Sequence, residues 1–261
     1  MTTTGAAAAV GAIALLLGVG APALPARAGS PRELLPNLVE LPPTQLRVRA
    51  VVKAGETRYE LRFTSTAANM GAGPLVVRLA RPSSAAPFAA AQVVSRSNGS
   101  TRSYPIAVSV PYFSRPGHNH FHLARFESYE LRNAANGAVA MDTKVGFCLG
   151  DRSPVGTEHG PARFTGPCGR GVRDALRLTV GISVGWADPY SAVLDGQELD
   201  LTGLPAGIYT LVNRVNGDGT LHESSYADNV AAARIRLVWP NGRFVPPVVT
   251  PLASCRAERC P

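Results

Sequence analysis

Alternation of apolar and polar side chains narrows the fold of this chain more than any other feature. Residues 46–53 and 57–64 alternate with a period of two, which is typical of half-buried strands because successive strand side chains point to opposite faces. Further strands are predicted at residues 75–79, 126–131, 144–149, 175–180, 198–201, 208–215 and 232–238. Helical periodicity is nearly absent. We therefore predict a mainly β fold, a single antiparallel, β-sandwich-like domain with long loops, in which the Ala- and Ser-rich residues 83–102 form a surface loop.

The N-terminal segment predicts export. Residues 6–23 are small and apolar, and Ala26-Arg27-Ala28 fits a small-x-small cleavage site, although no Lys or Arg lies near Met1. The most apolar stretch, residues 6–19, is shorter than the roughly 20 residues that a membrane-spanning helix needs. We predict that residues 1–28 are a signal peptide and that the protein is secreted, with no membrane span after the peptide is removed. Residues 29–250 would then form the functional domain and residues 251–261 a C-terminal tail.

The four cysteines agree with an exported protein. In that setting an even number indicates disulfides, and close spacing favours Cys148 with Cys168 and Cys255 with Cys260, although the sequence leaves three connectivities open. A zinc site is less favoured because the chain has no C-x-x-C pair. The formal net charge of +8 comes from scattered arginines without aromatic interleaving, so we predict no nucleic-acid partner.

Three of the five histidines lie within five residues, in Pro116-Gly-His118-Asn-His120-Phe-His122. On a strand, positions i, i+2 and i+4 point to one face, so the three imidazoles would line up together. Three nitrogen ligands with an open position are typical of a catalytic metal site. Imidazole suits copper, zinc, iron and nickel, so the ligand type alone does not fix the metal.

Two known families share part of this pattern. Cupins begin their metal motif with H-x-H and a carboxylate, which His120, His122 and Glu127 match. A later cupin histidine follows a P-x-G turn, but Thr210 stands at that position after Pro205-Ala-Gly207, which weakens this alternative.

The resemblance to the lysyl oxidase family extends further along the chain. Its copper motif, H-x-H-x-H with an aromatic before the last His, matches residues 118–122. Its K-x-x-F-C-L-x-D block reads Lys144-Val-Gly-Phe-Cys-Leu-Gly-Asp151, and its G-x-S-x-G…D-x-Y segment reads Gly181-Ile-Ser-Val-Gly-Trp-Ala-Asp-Pro-Tyr190. A stretch near the C-terminus, Glu223-Ser-Ser-Tyr-Ala-Asp-Asn229, resembles the family's E-S-D-Y-x-N-N. The chain thus resembles a bacterial-type member of the family, with the catalytic domain only, over roughly residues 34–238.

The resemblance implies a copper-dependent amine oxidase of the protein-lysine 6-oxidase type. Lys144 and Tyr190 would be cross-linked into lysine tyrosylquinone, Cu²⁺ would be held by His118, His120 and His122, and Asp188 would be the catalytic base. Peptidyl-lysine or a small primary amine would be oxidised by O₂ to an aldehyde, with release of hydrogen peroxide and ammonia. Pro189, between Asp188 and Tyr190, favours a loop or a sheet edge there. The family bridge that Cys148 and Cys168 match is also implied.

The resemblance further implies a calcium site. Its ligands would come from Asn37 and Leu38 with Glu223, Asp228 and Asn229. Asn37 and Ser225 replace acidic residues of the family pattern, which should weaken cation binding. Two alternatives to the oxidase stay open at this point, a cupin-like metalloenzyme and a non-catalytic secreted copper-binding protein that uses the same three histidines.

Overall fold

The computed structural model describes residues 1–5, 30–114, 118–141 and 146–261, and every regular element in those ranges is a β-strand. Residues 6–29 of the predicted signal peptide and Lys144 lie outside the described residues. The chain divides into two units. Met1–Ser30 has no regular element in its described residues, and Pro31–Pro261 holds all the strands. None of the described residues belongs to a helix with the length and hydropathy that a bilayer crossing requires.

The strands of the second unit are short except for one hairpin. They are β1 (Glu33–Leu34), β2 (Leu38–Lys53), β3 (Glu56–Asn69), β4 (Leu75–Ala80), β5 (Ala89–Arg96), β6 (Thr101–Ile106), β7 (Glu127–Arg132), β8 (Ala138–Met141), β9 (Ser153–Pro154), β10 (Arg177–Ile182), β11 (Trp186–Tyr190), β12 (Glu198–Asp200), β13 (Gly207–Val215), β14 (Val230–Val238) and β15 (Val248–Cys255).

Three five-stranded sheets contain these strands, and all their pairings are antiparallel. The first sheet has the order β1-β5-β4-β10, with β6 also on β5. The second has the order β12-β3-β11-β9, with β2 also on β3. The third has the order β15-β14-β13-β7-β8. The predicted mainly β, antiparallel single domain is confirmed.

The hairpin β2–β3 organises the second sheet. Its turn at Ala54-Gly55 has positive φ at both residues, the geometry that matches the twist of two antiparallel strands. β3 is buried on both faces from Tyr59 to Ser65, and β2 packs against β13, β14 and β15 of the third sheet. Burial of Leu61, Phe63 and similar side chains between these layers supplies the main stabilising force, because apolar surface is removed from water there.

Two local predictions were wrong. The predicted surface loop at residues 83–102 contains β5, which lies between β4 and its other partners and buries Gln92, Val93 and Val94. Alanine and serine side chains are too small to show a clear hydrophobic alternation, which explains the error. Residues 146–149 form no regular strand, although Phe147 makes one isolated bridge to Leu123. At the C-terminus, β15 pairs with β14 across the predicted tail boundary at residue 251.

Candidate metal centre

Backbone hydrogen bonds from two sides hold the histidine segment. The N–H of Phe113 donates to the carbonyl of His120, and the N–H of His122 donates to the carbonyl of Pro111. On the other side, the N–H of Phe121 donates to the carbonyl of Cys168 over 3.0 Å. The predicted regular strand is therefore replaced by an irregular segment with isolated bridges at Phe121 and Leu123. The alternation of side chains that a strand would give is kept.

The three imidazoles converge as the spacing predicts. Nε2 of His122 lies 2.9 Å from Nε2 of His118 and 2.9 Å from Nε2 of His120. One ring nitrogen carries either a proton or a lone pair, so His122 Nε2 cannot form a good hydrogen bond with both neighbours. The three ring nitrogens are close enough to bind one metal ion at roughly 2.0 Å. Imidazole ligands suit Cu²⁺, so the residues present fit a copper ion.

Aromatic side chains cover the histidine cluster. Phe113 places its ring centroid 4.5 Å from that of His122 and 5.5 Å from that of His118. Phe121 points the opposite way and packs against Phe88 and Tyr112. His120 and His122 are buried and His118 is half-buried, so the imidazoles are shielded while one side stays accessible. The sequence analysis did not predict that Phe113 packs against the histidines. The only indication in the sequence is that the Tyr112-Phe113 pair precedes the histidine motif.

Strand β11 brings Asp188 and Tyr190 to the same cleft as the histidines. The cleft has a volume of about 470 Å³, and His118, His120, His122, Asp188 and Tyr190 all line it. β11 pairs with β3 along its whole length, but β9 covers only Trp186 and Ala187. Pro189 therefore lies where β11 has a neighbour on one side only, which a residue without an N–H tolerates. Asp188 and Tyr190 share a face, as residues i and i+2 of a strand do.

The cleft environment makes Asp188 a weaker acid. The carboxyl is 2% exposed, and burial raises its pKa well above the usual value for aspartate. Two groups oppose this effect. Arg152 Nε lies 4.0 Å from Asp188 Oδ1, and the Gly150 N–H donates to Asp188 Oδ2 over 3.1 Å. Burial outweighs both groups, so the pKa of Asp188 stays above its usual value.

Tyr190 is fixed as a buried, protonated phenol. Burial first, and then the nearby carboxyls of Asp188 and Glu127, raise the pKa of Tyr190 well above its usual value. The Phe147 ring packs edge-on against it with centroids 4.7 Å apart. Phe147 belongs to the same sequence block as Lys144, so the structure brings the described end of that block onto the Tyr190 ring.

The Lys144 block also contacts the metal ligands. A Cβ built on Gly146 would lie 2.6 Å from the Cβ of His122, so only glycine fits at this contact. At the other end of the block, Asp151 accepts hydrogen bonds from the Ser183 N–H and Oγ, which joins the block to the G-x-S-x-G segment. The motifs thus form one connected unit around the cleft.

Both predicted disulfides are confirmed. Cys148 is bonded to Cys168 and Cys255 to Cys260. The first bridge connects the Lys144 block to the turn whose Cys168 carbonyl accepts from Phe121. It therefore links the two segments on either side of the histidine cluster.

The residues predicted to bind calcium lie together, but hydrogen bonds among themselves occupy much of their capacity. Glu223 accepts bonds from the Leu38 N–H and from the side-chain amides of Asn216 and Asn229. Asn37 Nδ2 donates to Asp228 Oδ2 over 2.7 Å. Burial, which outweighs these N–H donors, raises the pKa of Glu223 to about 7. These hydrogen bonds join the residues of the cluster to one another.

The carboxylate of the cupin alternative points elsewhere. Glu127 Oε2 accepts hydrogen bonds from Ser65 Oγ and Tyr129 Oη inside the core. Among the described residues only the three histidines bring metal-ligating atoms together. Thr210 lies in β13, opposite Arg132 and Arg234 in the neighbouring strands. A cupin-like ligand set is therefore not assembled in the described part of the chain.

The known proteins and the family profile that this chain matches agree with one another. A family profile described as lysyl oxidase matches residues 90–241, which is more than half of the chain. Over 121 residues, or 46% of the chain, it is 34% identical to protein-lysine 6-oxidase from Sus scrofa and to that from Homo sapiens. It is also 34% identical over 131 residues, or 49% of the chain, to lysyl oxidase homolog 1 from Homo sapiens. The matched segment spans 44%, 26% and 20% of these relatives, respectively, so it covers less than half of each.

Proposed function

The chain belongs to the lysyl oxidase family, and on this basis we propose that it is a copper-dependent primary amine oxidase. It would convert a primary amine, O₂ and water to an aldehyde, hydrogen peroxide and ammonia. The observation that carries the proposal is the shared cleft, in which a three-imidazole cluster, a buried tyrosine and a buried carboxyl face the same space. A purely metal-binding protein has no need of the last two groups.

His118, His120 and His122 would hold the copper, and Lys144 and Tyr190 would supply the lysine tyrosylquinone. A bound copper ion would support oxidation of the Tyr190 ring by O₂, and the cofactor would supply a two-electron acceptor for amines, which no ordinary side chain provides. Support for the tyrosine half comes from the position of Tyr190 beside the histidines. Support for the lysine half comes from the neighbouring residues Gly146 and Phe147, which contact His122 and Tyr190.

Asp188 would act as the general base. Its raised pKa suits the task, since the conjugate base of a weaker acid takes a proton from carbon more readily than an ordinary aspartate does. The Gly150 N–H fixes the position of Oδ2, and the Arg152 guanidinium opposes part of the rise in pKa. Val193 and Leu194 line the cleft and would exclude water from the aliphatic part of the substrate.

The substrate would be peptidyl-lysine or a small primary amine. We further propose that the protein works outside the cell, exported by the signal peptide predicted at residues 1–28. The two disulfides agree with an oxidising compartment.

The decisive test combines activity with mass spectrometry. Copper-loaded protein should release hydrogen peroxide when a primary amine is added, and its tryptic digest should contain a Lys144–Tyr190 cross-link. Tyr190→Phe and Lys144→Arg should lose both signals and keep the bound copper. Unmodified Lys144 and Tyr190 in fully copper-loaded, aerated protein, with no peroxide release, would contradict the oxidase and favour the non-catalytic copper-binding alternative.

Calcium at the Asn37–Asp228–Glu223 cluster is the second, weaker part of the proposal. Asp228 Oδ1 and Asn229 Oδ1 are buried without a hydrogen-bond partner and could turn to a cation. Because Glu223 already accepts three N–H bonds, we expect binding only near the millimolar range. Calcium at about 10 mM should raise the melting temperature, whereas calcium at about 0.1 mM should not.

A further inference from the structure

One arginine among the described residues of the cleft forms no ion pair with another described residue. Arg170 lines the cleft together with the histidines and Tyr190. It is exposed, and within the described ranges its guanidinium makes no hydrogen bond or ion pair. Arg152, which also lines the cleft, contacts Asp188 and reaches towards the carbonyls of Thr165 and Gly166. Among the described residues of the cleft, Arg170 is thus a cation that is available to a bound molecule.

Backbone hydrogen bonds fix the main chain at Arg170 beside the histidine segment. The Arg170 N–H donates to the Pro167 carbonyl, which closes a turn. On one side of it the Cys168 carbonyl accepts from Phe121, and on the other the Gly171 N–H donates to the Asn119 carbonyl over 2.8 Å. Asn119 and Phe121 alternate with the three histidines, and Cys168 is bonded to Cys148. The turn is therefore anchored at three points around the cleft.

From this arrangement we infer that Arg170 is a specificity-determining residue that binds a carboxylate of the amine substrate. The inference rests on the proposed oxidase function and narrows its substrate class. Asp188 and Asp195 also line the cleft, so Arg170 selects by direct pairing rather than by the overall charge of the cleft. A carboxylate beyond the aliphatic chain of the substrate pairs with the Arg170 guanidinium through two parallel N–H donors. The preferred substrate is a primary amine with a carboxylate at the far end of its chain, such as free lysine, a C-terminal lysine residue or a lysine beside an acidic residue.

The sharpest test uses two ligands that differ in one group. Nα-acetyl-lysine has a carboxylate where Nα-acetyl-lysinamide has a neutral amide. For copper-loaded wild-type protein we expect kcat/KM about two- to fivefold higher with the carboxylate, the range for an exposed charge pair. Arg170→Gln should remove this preference mainly by raising KM for the carboxylate, and Arg170→Lys should restore part of it. Higher salt should weaken the preference in wild type only.

A matched control is available in the same loop. Arg173→Gln removes the same charge, but Arg173 lines a different cavity with Ser84 and Asp174, so it should keep the wild-type preference. The dipeptides acetyl-Asp-Lys-amide and acetyl-Asn-Lys-amide separate the sources of the carboxylate. A preference for the first supports recognition of an acidic neighbour. A preference confined to Nα-acetyl-lysine supports a terminal carboxylate.

Binding calorimetry separates this inference from the oxidase proposal. Nα-acetyl-lysine should bind wild type more tightly than Arg170→Gln, whether or not turnover occurs. Equal affinity, or equal kcat/KM for acid and amide in active enzyme, overturns the role of Arg170 and leaves the oxidase intact. Absence of peroxide with every amine, combined with an Arg170-dependent affinity, overturns the oxidase and supports the carboxylate site.

Discussion

Removing the Cys148–Cys168 bridge should lower the free energy of unfolding by about 3 kcal/mol. The two cysteines are 20 residues apart, and closing a loop of that size lowers the entropy of the unfolded chain by about 11 cal/mol/K, or about 3 kcal/mol at room temperature. The second bridge, Cys255–Cys260, spans 5 residues, for which the same relation gives about 2 kcal/mol. A double alanine variant of each pair therefore provides the comparison.

Guanidinium unfolding followed by tryptophan fluorescence would measure both variants, and copper titration would add a second result. Loss of the first bridge should weaken copper binding about tenfold, a typical effect of removing support behind metal ligands, because the Cys168 carbonyl accepts from Phe121 between two of the histidines. Loss of the second bridge should leave copper affinity unchanged. A larger loss of stability in the Cys255–Cys260 variant would refute the loop-entropy argument. Unchanged copper affinity in the Cys148–Cys168 variant would refute the support that we assign to this bridge.

Three further predictions concern single residues. Gly146→Ala would place its Cβ 2.6 Å from the Cβ of His122, so we expect a loss of about 1–3 kcal/mol in unfolding experiments and weaker copper binding, with Gly160→Ala, which meets no atom within 4 Å, as an unaffected control. Asp188→Asn should lower kcat for peroxide release by at least about 100-fold and keep the copper content, whereas a smaller loss would exclude it as the base. Because burial raises the pKa of Glu223 to about 7 from 4.5, the folded chain binds more protons than the unfolded chain between these values. Its free energy of unfolding in EDTA should therefore fall by up to about 3 kcal/mol as the pH rises through this range, and this dependence should be absent in Glu223→Gln.

Much of the site could be predicted because its chemistry is local in sequence. The spacing of His118, His120 and His122 is enough to turn three imidazoles to one side, whether the segment is a regular strand or an irregular one. The pairing of nearby cysteines is likewise decided by short loops. For the same reason, strands with a clear alternation of apolar residues, such as β7 and β13, agree with their predicted bounds to within one residue.

Features that depend on contacts between distant residues could not be predicted. β5 is buried by its neighbours in the sheet rather than by its own composition, so its alanines gave no signal. The geometry at Asp188 depends on where the pairing of β9 with β11 ends. The sequence of β11 alone does not specify that point. The sequence does not distinguish Arg170 from the other arginines of this basic chain. The structure does, because its turn is hydrogen-bonded beside the histidines.

The pairing of Tyr190 with Ser65 across β11 and β3 has a consequence for the order of events during folding. The three histidines need only a few neighbouring residues to chelate a metal, so the unfolded chain already competes for copper. Copper should then raise the melting temperature less than its affinity for the folded protein implies, because a ligand that also binds the unfolded state stabilises less. Tyr190 pairs with a strand more than a hundred residues earlier in the chain, and contacts between such distant residues form slowly. Under the proposed function, copper would therefore bind early during folding, whereas oxidation of the Tyr190 ring would have to wait for the completed sheet.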